Sequence, residues 1–349
     1  MKKFRSKVLK LQDDARILIS RTDRLGDLIL ALPFVETIKS RYPQSTVDVI
    51  ASLYASPILE NNKNINKILR VQNDQLLSNK MYKKDLLQKI RKGKYDIVVA
   101  LYPERQISRL FYKANIPTRV GTAGRFHSIF FNTLLFHSRK KNLKHEFEYN
   151  LDFLTFFKKG KKITFPKVYL RQKEIDNARR ILNDAQIAGE FIVIHPGSGG
   201  SAERWPIGNF IKLYRILEKK GLQLIVSGSE QEGIIIDKVS KEMGIKIKKM
   251  TGDTDLRTLA AVLSLARLVI ANSTGPLHLS VAVGTQVAGL YPSKKAMSPV
   301  RWGPLGEKDR VIQPPGEECH CPPRHCVCMQ KVTPEKVAVE ILEMLNDNG

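Results

Sequence analysis

Leu268-Val-Ile-Ala-Asn-Ser-Thr-Gly-Pro-Leu-His-Leu-Ser280 is the stretch that decides the fold. A short apolar run, Leu268 to Ala271, ends in Asn272, Ser273, Thr274 and Gly275. Pro276 follows where a first helical turn tolerates it, and an apolar-spaced segment runs on to Gly284. A strand feeding a helix in this way aims the helix's unsatisfied N–H groups, with two hydroxyls, beyond the strand end, where a phosphate is the natural ligand. Phe191-Ile-Val-Ile-His-Pro-Gly-Ser-Gly-Gly200 and Leu222-Gln-Leu-Ile-Val-Ser-Gly-Ser-Glu230 repeat the pattern. Three Gly/Ser/Thr-rich strand ends predict a nucleotide-diphosphate pocket at the carboxyl edge of a parallel sheet.

Strands and helices alternate on both sides of this core. Downstream of Phe191 the pattern predicts helices over Pro206–Lys220, Gln231–Met243, Leu256–Ala266 and Pro276–Val283. Strands are predicted at Leu222–Ser227, Leu268–Asn272 and Gln286–Tyr291. The first half reads as a strand at Arg16–Ser20, a loop to Asp27 and one helix over Leu28–Tyr42. Strands follow at Val47–Ala51 and Asp96–Leu101, with an amphipathic helix near Lys83–Arg91 between them. Residues 102–150 are less regular and basic, with Arg105, Arg109, Arg119, Arg125, Arg139 and Lys140. The pattern breaks at Lys158-Lys-Gly-Lys-Lys-Ile-Thr-Phe-Pro166, and a helix over Gln172–Asp184 opens the second half. This predicts an α/β protein of two facing doubly wound domains, 1–165 and 166–349, with a cleft between them.

Composition bounds the function. A chain of 349 residues with 42% hydrophobic and 7% aromatic content has room for two cored domains. No apolar run reaches the roughly 18 residues of a membrane span. The basic start lacks a signal-peptide core, so the expected location is the cytoplasm. The net charge of +24 calls for a polyanionic partner or reflects lysine-rich usage. Base-reading and base-stacking patterns are missing, which argues against nucleic acid.

Asp27 follows Gly26 at the end of the first strand, where a carboxylate faces a ligand or caps the next helix. Arg21 and Arg24 either hold that carboxylate ionised or bind a substrate phosphate. In the second half, Ser198 and Gly199 lie in a flexible loop of donors. Arg204 either neutralises a diphosphate or covers Trp205. Glu230 suits a ribose diol or a helix cap. His278, one turn beyond Gly275, faces the ligand or packs as a core histidine.

In order, these residues resemble glycosyltransferase family 9, the ADP-heptose:lipopolysaccharide heptosyltransferases. The likeness runs from Arg21, Asp23, Gly26, Asp27 and Pro33 through His195-Pro-Gly197, Arg204-Trp-Pro206 and Gly228-Ser-Glu230. It continues in Asn272-Ser-Thr-Gly-Pro-x-His278, Leu290-Tyr-Pro-Ser293, Arg301-Trp-Gly-Pro304 and a Cys-rich tail ending in a final helix. The resemblance implies a GT-B fold with acceptor on the N-terminal domain and nucleotide-sugar on the C-terminal one. It implies an inverting transfer of heptose from ADP-heptose to the lipopolysaccharide inner core, with Asp27 as general base and no metal or cofactor. Thr274, Gly275, Ser198 and Arg204 would hold the donor diphosphate and Glu230 the ribose, with Gly199, Asn272, Ser273 and His278 also in the donor site. Arg21, Arg24, Arg105, Arg109 and Arg119 would meet a phosphorylated lipid A–core acceptor at the anionic inner face of the inner membrane. Alternatives are a family-9-like transferase with another nucleotide-sugar or acceptor, or a non-catalytic nucleotide- or polyanion-binding relative. Two positions depart from the family pattern: Glu203 replaces a common Lys, and Asn272 stands where many members carry Asp.

All four cysteines fall in Cys319-His-Cys-Pro-Pro-Arg-His-Cys-Val-Cys328. Their number suffices for a zinc set, but C-x-C-x4-C-x-C is no standard spacing. Cytosolic disulfides are disfavoured. Cys319, Cys321, Cys326 and Cys328 are therefore expected to be reduced structural or redox-labile thiols.

Overall fold

A computed structural model describes residues 8–197, 203–252, 254–316, 319, 321 and 327–347. The chain divides into two compact units, Met1–Tyr169 and Leu170–Gly349. The first contains strands β1 (Arg16–Arg21), β2 (Thr46–Ser52), β3 (Lys67–Val71), β4 (Ile97–Ala100), β5 (Thr118–Thr122) and β6 (Thr133–Leu135). They form one sheet in the order β3-β2-β1-β4-β5-β6, every pair parallel. Its helices are α1 (Leu25–Ile29), α2 (Leu32–Arg41), α3 (Asn73–Ser78), α4 (Lys80–Lys92), α5 (Arg105–Lys113) and α6 (Glu146–Leu151).

The second unit repeats that order with its own strands. β7 (Ile192–His195), β8 (Leu224–Gly228), β9 (Lys249–Thr251), β10 (Leu268–Asn272), β11 (Gln286–Leu290) and β12 (Arg310–Ile312) form the sheet β12-β11-β10-β7-β8-β9. Its helices are α7 (Gln172–Asp184), α8 (Ile207–Glu218), α9 (Glu230–Glu242), α10 (Leu256–Leu265), α11 (Gly275–Ala282), α12 (Pro299–Trp302) and α13 (Pro334–Asn346). In each sheet the strand order reverses beside the first strand, at β1/β4 and at β7/β10. Ligands of doubly wound sheets bind outside the carboxyl ends at such a point.

Helices cover both faces, so the central strands are buried on both sides and read as unbroken apolar runs. In the first unit, Leu18, Ile50, Val98 and Ala100 face Leu86, Ile107 and Phe111. Phe34 of α2 and Tyr42 at its C-cap meet Phe153 and Phe157 edge-on, at centroid distances of 6.1–6.4 Å. The single helix expected over Leu28–Tyr42 is two helices. Pro33 has no N–H to give Ile29, so α1 ends and α2 restarts with the proline in its first turn. The Asn150 amide donates to the Leu30 carbonyl left at the break, at 2.9 Å.

Trp205 joins the second unit's core to its C-terminal segment. It is fully buried with Met329, Val332, Val337 and Ile341, and meets Phe210 edge-on at 4.7 Å. Its indole N–H donates to the Val332 carbonyl at 2.8 Å. Cys328 is buried in the same cluster and Cys319 packs against it, while Cys326 lies outside the described residues. We expect Trp205→Phe to lower the unfolding free energy in urea by about 1–3 kcal/mol, because the Val332 carbonyl loses its buried donor. An unchanged midpoint and slope would show that this bond contributes nothing.

Candidate active site

β1 delivers Arg21 to the carboxyl edge, and the guanidinium there is only 1% exposed. Its Nε donates to Asp23 Oδ1 at 2.7 Å and its Nη2 to Asp27 Oδ1 at 2.5 Å. Nη1 donates to Glu146 Oε1 at 3.0 Å and to Asn150 Oδ1 at 2.8 Å. Burial works against the Arg21 charge, but Asp23, Asp27 and Glu146 more than offset it and hold its pKa above the ordinary value. Arg139 adds a second guanidinium, donating to Glu146 at 3.0 Å and to the Leu101 carbonyl at 3.0 Å.

Asp27 does not cap α1. Arg24 is the N-cap residue, and Asp27 sits in the first turn with its carboxylate on Arg21. Its side chain keeps 13% exposure, so it is held by a buried cation and still reached by solvent. Asp23 lies beside it. Burial, opposed by Arg21 and reinforced by the Asp27 charge, pushes the Asp23 carboxyl up to about 7. Thr22 Oγ1 donates to Glu104 Oε2 at 3.3 Å, bringing the loop after β4 to the same strand end.

The arginines assigned to an acceptor divide. Arg21 is not available to a phosphate, since burial and four acceptor groups occupy it. Arg119 is not available either. Its Nε and Nη1 donate to the carbonyls of Phe130 and Ile116 at 2.8 and 2.5 Å, and it lies 5.4 Å over the Tyr112 ring. Arg24, Arg105 and Arg109 are exposed, with no ion pair among the described residues.

In the second unit the strand ends of β7, β8 and β10 come together. His195 is buried, with Nδ1 3.0 Å from Ser227 Oγ, and burial lowers its pKa. Ser229 and Glu232 form a capping box on α9: Ser229 N–H donates to Glu232 Oε2 at 2.9 Å, and Glu232 N–H to Ser229 Oγ at 3.3 Å. The Glu232 carboxylate lies against Gly197, where a Cβ would have to displace it. Glu230 is not the cap residue. It opens α9 exposed to solvent, beside Gly252.

Asn272 corrects the expectation of a donor ligand. It is fully buried, accepting from Trp205 N–H at 3.0 Å and donating to the Pro196 carbonyl at 2.8 Å. An aspartate could not make the second bond, which accounts for Asn here. Thr274 is 4% exposed and turns its hydroxyl back onto the Asn272 carbonyl at 3.1 Å. Ser273 hydrogen-bonds Tyr291, and His278, expected to face a ligand, is 4% exposed. The donors this strand end offers outward are the first-turn N–H groups of Gly275 and Leu277, which α11 cannot satisfy internally. Arg204 is exposed with no ion pair among the described residues, while Glu203 pairs with Lys294 at 2.6 Å. Ser198 and Gly199 lie outside the described residues. Sequence reasoning missed Glu146, Asn150, Lys294 and Glu232; of these only Glu232 had a local signal, three residues after Ser229.

The pattern of Glycosyltransferase family 9 (heptosyltransferase) matches residues 84–332. A Haemophilus influenzae protein, described no further than as a glycosyltransferase, is 26% identical over 321 residues, covering 88% of this chain and 89% of that one. Lipopolysaccharide heptosyltransferase 2 of Salmonella typhimurium is 22% identical over 316 residues, covering 85% and 88%. The solved structure of E. coli ADP-heptose lps heptosyltransferase II superposes with a TM-score of 0.77 at 21% identity, covering 95% of this chain and 99% of that one. That likeness, with two Rossmann-like sheets in one chain, makes the fold GT-B. With the family pattern matched over more than half its length, the chain belongs to glycosyltransferase family 9 and is a glycosyltransferase.

Proposed function

We propose that this enzyme transfers heptose from ADP-heptose to the inner core of lipopolysaccharide, inverting the anomeric centre, with Asp27 as general base and no metal ion. The named activities of the Salmonella and E. coli relatives support the sugar and the acceptor. The observation that carries the mechanism is Asp27 itself, a partly exposed carboxylate at the switch point of the first sheet, fixed by buried Arg21. The first unit binds the phosphorylated lipid A–core acceptor, with Arg24, Arg105 and Arg109 exposed for its phosphates. The second binds the donor, with Glu230 on the ribose and Arg204 and the α11 N-terminus on the diphosphate. The enzyme works in the cytoplasm at the anionic inner face of the inner membrane, and no helix among the described residues is long and apolar enough to cross it.

The chemistry is a single displacement. The acceptor oxygen forms a bond to the anomeric carbon as the carbon–diphosphate bond breaks. Asp27 takes the acceptor's proton, and the bonding pair leaves with ADP. Charge growing on the diphosphate is met by Arg204 and the Gly275 and Leu277 N–H groups, which is the work a metal does elsewhere.

Asp27→Asn should lower kcat by about 10²–10⁴-fold with donor affinity retained, as for loss of a general base. Transfer within a factor of two of wild type would remove Asp27 from the mechanism. Turnover should also survive excess EDTA; if chelation stopped it and magnesium or manganese restored it, a metal would carry the leaving group.

The third expectation concerns pH. Asp23 and Asp27 share Arg21, and burial pushes the Asp23 carboxyl up to about 7. Ionisation of Asp23 places a like charge beside Asp27 and strengthens it as a base, so kcat/KM should rise with pH through about 7 and then level. Asp23→Asn deletes the like charge beside Asp27 and should move the rising limb to lower pH. An unmoved limb in that variant would show that the pair does not set it.

A further inference from the structure

The segments leaving β5 and β6 hold four large apolar side chains in water: Phe126 at 80% exposure, Ile129 at 69%, Phe136 at 71% and Leu143 at 72%. They leave the sheet side by side. β5 and β6 pair in parallel with Thr122 opposite Leu135, and Ala123 N–H donates to the Leu135 carbonyl at 2.9 Å. The first segment is clamped by Arg119 on the Phe130 carbonyl and by Phe130 packing on Tyr112 of α5. The second is tied down by Leu143 N–H donating to Tyr149 Oη at 3.2 Å, and Tyr149 lies edge-on to His137 at 5.3 Å. These side chains are therefore presented by ordered backbone.

The charge carried within these segments has one sign. From Arg105 to His145 the sequence contains nine Lys and Arg and no Asp or Glu. Arg105 stands 5.9 Å from the Phe126 ring, and Arg125, Lys140 and Lys141 are exposed in the same two segments. Apolar tips set among cations fit a surface that is greasy beneath and anionic on top. A second copy of the chain would present the same positive charge and be repelled.

We infer that this face docks on a bilayer of anionic phospholipid, with Phe126, Ile129, Phe136 and Leu143 entering the boundary between headgroups and acyl chains. Each kind of contact alone is weak, and the combination gives stable yet reversible binding. The inference deepens the reading of the acceptor as lipid-borne and rests on it. Arg139, three residues beyond Phe136, shares Glu146 with Arg21, so the docking segment is bonded to the cluster that holds Asp27. A lipid-anchored acceptor would thereby be brought to the base by the same surface that finds the membrane.

The test is vesicle flotation of the full chain without acceptor, using phosphatidylethanolamine/phosphatidylglycerol vesicles against phosphatidylcholine alone. Wild type should float with the anionic vesicles only. Phe126→Ser/Ile129→Ser/Phe136→Ser/Leu143→Ser should cut the partition coefficient by about tenfold or more, while its circular dichroism melt and its transfer to a delipidated, water-soluble core acceptor stay as in wild type. Flotation of this variant as wild type would overturn the assignment. So would an equal loss in Leu77→Ser/Met81→Ser, whose side chains are 67% and 71% exposed beyond β3 at the opposite end of the sheet. Conversion of a wild-type dimer to a monomer by the quadruple variant would assign the face to a second copy instead. Failure of transfer to the soluble acceptor by wild type would count against the proposed function, and failure of wild type to float would count against the docking surface.

Discussion

A guanidinium with 1% exposure has to be neutralised where it lies, and Arg21 makes that requirement the organising constraint of the first unit. Its acceptors come from the loop after β1, from α1 and from α6, the two α6 residues Glu146 and Asn150 being 125 and 129 residues away in sequence. Asn150 reaches from Arg21 to the Leu30 carbonyl at the α1–α2 break, so the same side chain settles the charge and the helix junction. Losing one partner of such a buried set strands the remaining charges and typically costs about 3–5 kcal/mol. Asp27 thus takes its position from the same buried ion-pair set.

The charge arithmetic of this cluster also bears on reactivity. Three carboxylates, Asp23, Asp27 and Glu146, face two guanidiniums, Arg21 and Arg139. Glu146 is fully buried between the two arginines and accepts from both. The more exposed Asp23 and Asp27 share Arg21, and burial with the Asp27 charge alongside raises the affinity of Asp23 for a proton. A carboxylate held only by Arg21 would be a poor base; a like charge alongside restores its affinity for a proton.

Much of this architecture was legible in the sequence, and the rest was hidden for physical reasons. α7 and β10 lie at the residues expected, because continuous apolar runs and amphipathic spacing are local signals. β3, β5, β6, β9 and β12 had no such signal. They are short, peripheral in their sheets or partly exposed, and their existence depends on a neighbouring strand for pairing. Asp27 was marked by its place after Gly26, but the choice between cap and ion pair was not, since Arg21, Glu146 and Asn150 meet only after the sheet forms. Arg119 and Asn272 were misread for one common reason: a polar residue near a strand end looks like a ligand until its partners, two backbone carbonyls for Arg119 and a carbonyl and an amide for Asn272, are known.

The departure at Glu203 follows the same logic of paired charges. A lone carboxylate beside Arg204 would oppose a diphosphate, yet Lys294 from the segment after β11 lies 2.6 Å from it, and both side chains are less than a fifth exposed. The pair is neutral at close range, which leaves the local field to Arg204 and to the N-terminus of α11. A lysine at position 203 would place a mobile cation on one loop. Here Glu203 and Lys294 join two loops that flank the same strand ends, and the cation is held by a neighbour instead of reaching for the ligand. For the proposed donor this trades one direct phosphate contact for a tied pair of loops. It shifts the burden of binding the leaving group onto backbone N–H groups, which keep their positions as charge develops.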